Sequence, residues 1–304
     1  MTAPATLAGL GEFGLIARLT RGLRHDRSVV RGPGDDAAVI LSDGHRRLLL
    51  TIDLLVDGVH FRWGRHAPRA IGWKALCCGI SDIAAMGGLP RHAVVSLGVP
   101  PRTPVRQLDQ LYAGLRSAAR RFGVNLVGGD TVRAPQVIVD VAVLGSARPQ
   151  DVVLRSGAAP GDRVFVTGRL GASYHTGRHL RFTPRVAESQ WLVRHHKPTA
   201  MMDLSDGLAS DLQRLAEQSG VGFLIEEHRL PLAPGARSAR QALMDGEDFE
   251  LLFTVPTHGS TTLPRRIGAT PLTEVGRVMP RGHGVLLHRH GGVLPLRPEG
   301  FRHF

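Results

Sequence analysis

Between Ile71 and Gly88 apolar residues fall on nearly every face of a helix: Ala75, Leu76, Cys77, Cys78, Ile80, Ile83, Ala84, Ala85 and Met86. A helix that is apolar all round is buried, and Gly87-Gly88-Leu89-Pro90 stops this one. Around it, short apolar runs alternate with amphipathic stretches. Ala37–Leu41 and Arg47–Asp53 read as strands joined by a hairpin turn at Ser42-Asp43-Gly44. Leu55–Phe61 reads as a further extended segment, and Ala93–Val99, Val124–Val127 and Val137–Leu144 as strands. Pro104–Phe122 carries Leu108, Leu111, Tyr112 and Leu115 on one helical face, and Glu12–Thr20 predicts a short helix with Phe13, Ile16, Ala17 and Leu19 inward. Residues before it, rich in Ala, Thr and Pro, read as disordered.

Loop signals at Arg155-Ser156-Gly157 and Pro160-Gly161-Asp162 mark a change of composition, which predicts domains of 1–148 and 149–304. The second half reads as strand Arg163–Thr167, helix Ala172–Leu180, strand Ala200–Leu204, helix Gly207–Ser219 and strand Gly222–Ile225. A helix at Ala239–Met244, the strand Phe249–Val255 and short strands follow. Helices alternate with strands but hairpins also occur, so the fold class is α+β rather than all-parallel.

Acidic residues break this pattern in one recurring way. Asp82 lies inside the all-apolar helix, where an unpartnered carboxylate is costly. Asp35 and Asp36 end Gly32-Pro33-Gly34-Asp35-Asp36, Asp53 ends an apolar run, Asp130 follows Gly128-Gly129, and Asp203 and Asp206 flank Leu204-Ser205. Any one of them taken alone reads more readily as a turn residue or helix N-cap. Strand ends and glycine turns are where open sheets present ligand groups. Carboxylates gathered from five segments repel unless cations sit among them, and carboxylates with phosphate oxygens form a Mg²⁺ environment. The pattern predicts a site for several Mg²⁺ ions and a phosphate-bearing ligand.

Composition narrows the field. The chain has 304 residues, 42% of them hydrophobic and 21% charged, which fits a globular protein with two domains. No apolar run reaches membrane-span length, and Met1–Leu10 shows no secretory signal. The two cysteines, Cys77 and Cys78, are adjacent on the helix and point apart, so a reduced, cytoplasmic setting is expected. The net charge is +12, but the arginines are scattered and aromatics make up 5%, so no nucleic-acid partner is expected. Gly9-Leu10-Gly11-Glu12-Phe13-Gly14 matches G-x-G-x-x-G without a preceding strand and is rejected as a dinucleotide fingerprint. No Gly-Lys pair occurs, which excludes a Walker P-loop, and no H-R-D or D-F-G, which excludes a protein-kinase site. His175 and His179, at i and i+4, lack the Glu of H-E-x-x-H and read as an exposed helix face; His195-His196-Lys197 reads as a solvated basic corner.

Seven blocks now stand in order: Gly11-Glu12-Phe13, Gly34-Asp35-Asp36, Asp53…His60-Phe61, Lys74-Ala75-Leu76…Ser81-Asp82-Ile83-Ala84-Ala85-Met86-Gly87, Gly128-Gly129-Asp130-Thr131, Asp203-Leu204-Ser205-Asp206-Gly207-Leu208 and Gly246-Glu247-Asp248-Phe249-Glu250-Leu251. Together they resemble the thiamine-monophosphate kinases of the aminoimidazole ribonucleotide synthetase-like superfamily, over nearly the whole chain. The resemblance implies a two-domain fold whose N-terminal α/β domain pairs with that of a second chain in a β-barrel, making a homodimer, with a mixed-sheet C-terminal domain. It implies direct transfer of the ATP γ-phosphoryl to thiamine monophosphate, without a covalent phospho-enzyme. By the same resemblance Asp36, Thr51, Ile52, Asp53, Asp82, Asp130, Asp203 and Asp206 would hold Mg²⁺. Tyr112, Gly129, Asp130, Arg155 and Ser205 would contact ATP, and His60, Glu247 and Phe301 would contact thiamine monophosphate. Asp35 would stand behind the metal site.

Transfer between two polyanions needs cations and an arginine to screen repulsion, and little general-base help, because the acceptor phosphate is already ionised. The chain departs from the family at Ile52, where Thr is common and only the carbonyl could serve. It departs also at Cys77-Cys78-Gly79, where the mid-helix glycine costs about 1 kcal/mol relative to Ala and is expected to loosen the segment, and at Phe301, in place of Tyr or Trp. The rival readings are another ATP-dependent enzyme of the superfamily, of the aminoimidazole ribonucleotide synthetase type, and a non-catalytic nucleotide-binding protein.

Overall fold

Helix α2 (Pro68–Ala85) is buried along almost its whole length, as its all-round apolar sequence requires. The computed structural model describes residues 7–42, 44–257 and 262–299. Among them α2 lies between two sheets. The first has the strands β1 (Val29–Arg31), β2 (Ala38–Leu41), β3 (Arg47–Val56), β4 (Leu89–Val99), β5 (Asn125–Arg133) and β6 (Ile138–Ala147), in the order β1-β2-β3-β6-β4-β5. All its neighbours are antiparallel except β4 and β5. Helix α3 (Val105–Phe122) packs beside α2 on one face, and its C-cap Gly123 takes a left-handed conformation.

The second sheet begins at Arg163. Its strands are β7 (Arg163–Thr167), β8 (Ala200–Asp203), β9 (Gly222–Glu226), β10 (Leu251–Val255), β11 (Arg266–Ile267), β12 (Thr270–Met279), β13 (Val285–Arg289) and β14 (Gly292–Pro295). They run β14-β13-β9-β12-β7-β10-β8, with β11 against β12. Only β9 and β13 pair in parallel. Helices α4 (Val186–His195), α5 (Leu208–Ser219) and α6 (Ala239–Met244) complete this half. The fold is therefore α+β with two mixed sheets, as the patterning predicts.

Alternation along β3 decides what each face of the first sheet does. Leu49, Thr51 and Leu55 are buried on the face that meets α2, while Leu50, Ile52 and Leu54 stand exposed on the other. Val94, Val127 and Val132 add to that open apolar face. No helix among the described residues is long and apolar enough to cross a membrane.

Several expectations need correction. The segment 172–180 is not a helix: Ala172 and Gly177 have φ of 56° and 69°, and only one 3-10 turn forms, at Arg178–Leu180. His175 is exposed, but His179 is wholly buried. Helix α1 (Leu7–Thr20) forms, yet Ile16 and Leu19 are 44% and 67% exposed and Ala17 is exposed, and among the described residues α1 adds none to the three apolar cores; the side chain of Phe13 lies outside the described residues. The 1–6 segment lies outside the described residues, as does Asp43 of the expected hairpin turn. The extended run 55–61 ends early, since β3 stops at Val56 and Asp53 is interior to it. Gly128 and Gly129 are strand residues rather than a turn. Gly79 does not loosen α2: a Cβ there would lie 2.7 Å from Val143 Cγ2, so the glycine lets the helix settle onto β6.

Candidate active site

Four elements aim carboxylates at one point. Asp36 comes from the turn before β2, Thr51 and Asp53 from β3, Asp82 from α2, and Asp203 from the end of β8. Asp36, Asp82 and Asp203 each offer an oxygen within 4.8 Å of the others. The Thr51 hydroxyl donates to Asp82 Oδ2 at 2.5 Å, and the Ser81 hydroxyl to Asp203 Oδ2 at 2.6 Å. Arg155 reaches over from the second half and donates to Asp36 Oδ1 at 2.5 Å. Its backbone N–H donates to Asp35 Oδ1 at 2.6 Å, and Asp35 also pairs with Arg31 at 3.0 Å. Asp35 thus stands behind the cluster and fixes the arginine.

Burial and crowding disfavour ionisation here. Burial, with Asp36 second, raises Asp203 to about 8. Burial raises Asp53 to about 6. Burial, then Asp53 and Asp203, holds Asp82 well above the carboxylate range. Burial also raises Asp36, against the pull of Arg155. Among the described residues, Asp36 Oδ2 and Asp53 Oδ2 are buried without a hydrogen-bond partner. Hard oxygen donors, several acids and lone pairs left over suit a hard divalent cation.

Of this group Asp53 and Arg155 border a cavity of about 880 Å³ that is lined from both halves. Ile52, Ser205, Asp206, His60 and Glu247 line it with them. Glu247 accepts a 2.6 Å ion pair from Lys74, whose side chain has no exposed surface and also donates to the His60 carbonyl at 2.9 Å. Burial raises Glu247, and Lys74 opposes that shift. The Val56 N–H donates to His60 Nδ1 at 3.1 Å, which makes Nε2 the protonated nitrogen of the neutral ring.

The Glu247 loop is strained, with φ of 63° at Glu247 and 50° at Phe249. Ion pairs on its far side hold it: Asp248 with Arg178 at 2.5 Å, and Glu250 with Arg185 at 2.5 Å. The Thr167 hydroxyl also donates to Glu250, at 2.6 Å. The Gly-Glu-Asp-Phe-Glu block therefore alternates between residues turned toward α2 and residues clamped from behind.

Within one chain the structure gathers Asp36, Thr51, Asp53, Asp82, Asp203 and Arg155, and lines the same cavity with Ile52, Ser205, Asp206, His60 and Glu247. It does not bring Asp130, Gly129 or Tyr112 into that lining. The register runs Leu54, Asp140, Ser96, Asp130 across four strands, which sets Asp130 about 14 Å from β3, on the open face. Gly129 is demanded by the sheet itself, since a Cβ there would lie 1.9 Å from the Val95 carbonyl oxygen. Tyr112 packs half-buried against the first core. Phe301 lies outside the described residues.

Sequence reasoning missed Arg214, which lines the cavity, pairs with Asp206 and reaches Asp211 at 3.3 Å. The signal was present, because Asp211 and Arg214 are three apart on α5 and Asp211 falls on its buried face. Lys74 and Ser81 stood inside a quoted block without a role. Their partners, Glu247 and Asp203, lie 173 and 122 positions away.

Comparison with known proteins gives the chain a family. Residues 34–147 match the AIR synthase related protein, N-terminal domain, and residues 159–289 the corresponding C-terminal domain. The chain is 35% identical to the thiamine-monophosphate kinase of Bacillus subtilis, over 97% of this chain and 100% of that one. It is 34% identical to that of Aquifex aeolicus, over 98% and 99%. The solved structure of AaThiL complexed with AMPPCP and TMP matches with a TM-score of 0.86 and 33% identity, covering 100% of both chains. A crystal structure of the Aquifex aeolicus thiamine monophosphate kinase matches with a TM-score of 0.78 and 32% identity, covering 93% of this chain and 98% of that one. Identity at this level over the full length, carried by both matched domains, shows that the chain belongs to the thiamine-monophosphate kinase family.

Proposed function

We propose that this protein transfers the γ-phosphoryl group of ATP to thiamine monophosphate, giving ADP and thiamine diphosphate. The observation that carries this reading is the trio Asp36, Asp82 and Asp203 beside Arg155, which with Asp53 lines a cavity shared by both halves. The relative complexed with AMPPCP and TMP supports it, because it holds an ATP analogue and TMP within the same fold.

Asp36, Asp53, Asp82, Asp203 and Asp206, with the Thr51 hydroxyl and the Ile52 carbonyl, would hold Mg²⁺. The two orphaned carboxylate oxygens support this. Mg²⁺ bound there would neutralise charge on the phosphates during transfer. Arg155 and Ser205 would orient the triphosphate. His60 and Glu247, fixed by Lys74, would set the acceptor so that its phosphate faces the triphosphate in line. No general base is needed, because the attacking phosphate oxygen is already ionised, and positioning supplies the catalysis.

The open apolar face of the first sheet supports a homodimer through the N-terminal domain. Leu50, Ile52, Leu54, Val94 and Val127 form a patch that a second copy would cover. Asp130 and Gly129 stand at its far edge, so their roles toward ATP and Mg²⁺ would be completed in the pair. Tyr112 as an ATP contact and Phe301 as a substrate contact rest on the family resemblance. The domains we assign are 1–148 and 149–304. Two buried, unpaired cysteines accord with a reducing, cytoplasmic setting.

The test is purified protein with ATP, Mg²⁺ and thiamine monophosphate, with products separated by chromatography. Thiamine diphosphate and ADP should accumulate together. Folded protein that binds ATP and yields neither would overturn the reading.

A further inference from the structure

Tyr174 belongs to none of the acid-rich blocks, yet it lines the cavity and is held there from three sides. The Ala172 N–H donates to Asp245 Oδ2 at 2.8 Å, and the Ser173 hydroxyl donates to the Glu247 carbonyl at 2.6 Å. These bonds fix the backbone beside Glu247. The Tyr174 ring stacks on His179, with centroids 4.5 Å apart and planes 19° from parallel. His66 meets both rings edge-on, 5.5 Å from His179 and 6.4 Å from Tyr174. His179 is fully buried and its Nδ1 lies 3.2 Å from the Ser173 carbonyl. One face of the tyrosine is thus covered, while 40% of the residue stays exposed.

We infer that Tyr174 is a specificity-determining residue, the aromatic face on which the thiazolium ring of thiamine monophosphate stacks. The inference rests on the kinase reading above. A thiazolium carries a fixed positive charge, and an aromatic face attracts a cation most strongly where water is excluded. Glu12 and Glu247 line the same cavity and suit a cationic ring, while Arg62, also on its wall, suits a phosphate. Burial, with Lys74 second, lowers His179 to about 4, so the ring beneath Tyr174 is uncharged at neutral pH and does not oppose the cation. The stack also gives the tyrosine one orientation, so little side-chain freedom is lost on binding.

The test compares Tyr174→Leu and Tyr174→Phe with wild type in steady-state kinetics and calorimetric binding. Two ligands are used: thiamine monophosphate, and an analogue whose thiazolium is replaced by a neutral thiophene ring. Tyr174→Leu should raise KM for thiamine monophosphate about ten-fold, with kcat and the KM for ATP unchanged. Tyr174→Phe should match wild type, because the ring does the binding. Wild type should prefer the cationic ring, and Tyr174→Leu should lose that preference. Unchanged KM in Tyr174→Leu, a Phe variant as poor as the Leu variant, or equal wild-type affinity for the two rings would overturn the inference while leaving the kinase intact. Wild-type protein with no turnover at all would remove the kinase reading, and this inference with it.

Discussion

Lys74, on α2, and Glu247, on the loop leading into β10, form a 2.6 Å ion pair in which the lysine has no exposed surface. The two residues come from opposite halves of the chain, and the pair joins those halves at the edge of the cavity. Removing one partner of a buried pair leaves the other without compensation. Lys74→Met should therefore destabilise the protein by about 3 kcal/mol, the lower end of the range for buried pairs, because the Glu247 side chain keeps 21% exposure. The double variant Lys74→Met with Glu247→Gln should recover part of that loss. Chemical denaturation of both variants measures it, and equal stability of Lys74→Met and wild type would refute it.

Asp82 accepts from the Thr51 hydroxyl, and burial and its acidic neighbours disfavour its charged form. In the cation-free protein Asp82→Asn keeps the side chain's shape and removes a charge that the buried site disfavours. Its melting temperature without Mg²⁺ should match wild type, while turnover should fall roughly a hundred-fold or more. A variant that turns over normally would show that Asp82 holds no cation the reaction uses.

Magnesium should stabilise the protein, and more so as pH rises. Protons compete with the cation for Asp203, raised to about 8, and Asp53, raised to about 6. Between pH 6 and 8 Asp53 of the cation-free protein gives up its proton first while Asp203 still favours keeping its own, whereas bound cation favours ionisation of both. The Mg²⁺-induced rise in melting temperature should grow across that interval. A rise independent of pH would place the cation elsewhere.

His179 should contribute to acid unfolding. Its folded pKa, about 4, lies below the ordinary 6.5. Between those values the unfolded chain binds a proton that the folded chain does not, so stability is complete above pH 6.5 and falls as pH drops towards 4. His179→Gln should flatten the decline of melting temperature over that range. An unchanged slope would mean that other groups set it.

The open sheet face should be a contact surface in solution. Leu50→Glu and Val127→Glu each place a charge within it, and both positions are exposed in the single chain, at 43% and 62%. Sedimentation should show a dimer for wild type and monomers for the variants, with monomer folding preserved. A monomeric wild-type protein would end this part of the reading.

Much of the architecture was visible in the residues, for local reasons. The helices α3, α5 and α6 follow single apolar faces, and α2 follows from having no polar face. The 172–180 segment misled because Ala172 takes a positive φ with its N–H bonded to Asp245, far along the chain, and a bond of that range leaves no trace in local periodicity. Ile16 and Leu19 misled because an apolar stripe predicts burial only when something lies opposite it. The acids of the cluster were legible as carboxylates in apolar settings, where each needs a partner. Lys74 with Glu247, and Tyr174 on His179, were not, because ion pairs and ring stacks between distant segments arise only once the fold has formed.

Helix α2 is fastened to the second half at four points. Trp73 Nε1 donates to the Phe182 carbonyl at 2.8 Å, Lys74 pairs with Glu247, Ser81 donates to Asp203, and the Ala84 carbonyl accepts from Ser189 at 2.6 Å. A rod pinned at both ends and in the middle offers no pivot, so a clamshell swing of the two halves would have to tear every fastening at once. Nucleotide and acceptor would instead enter a chamber, with Glu12 and Ile16 in its lining, whose two halves are already joined through α2.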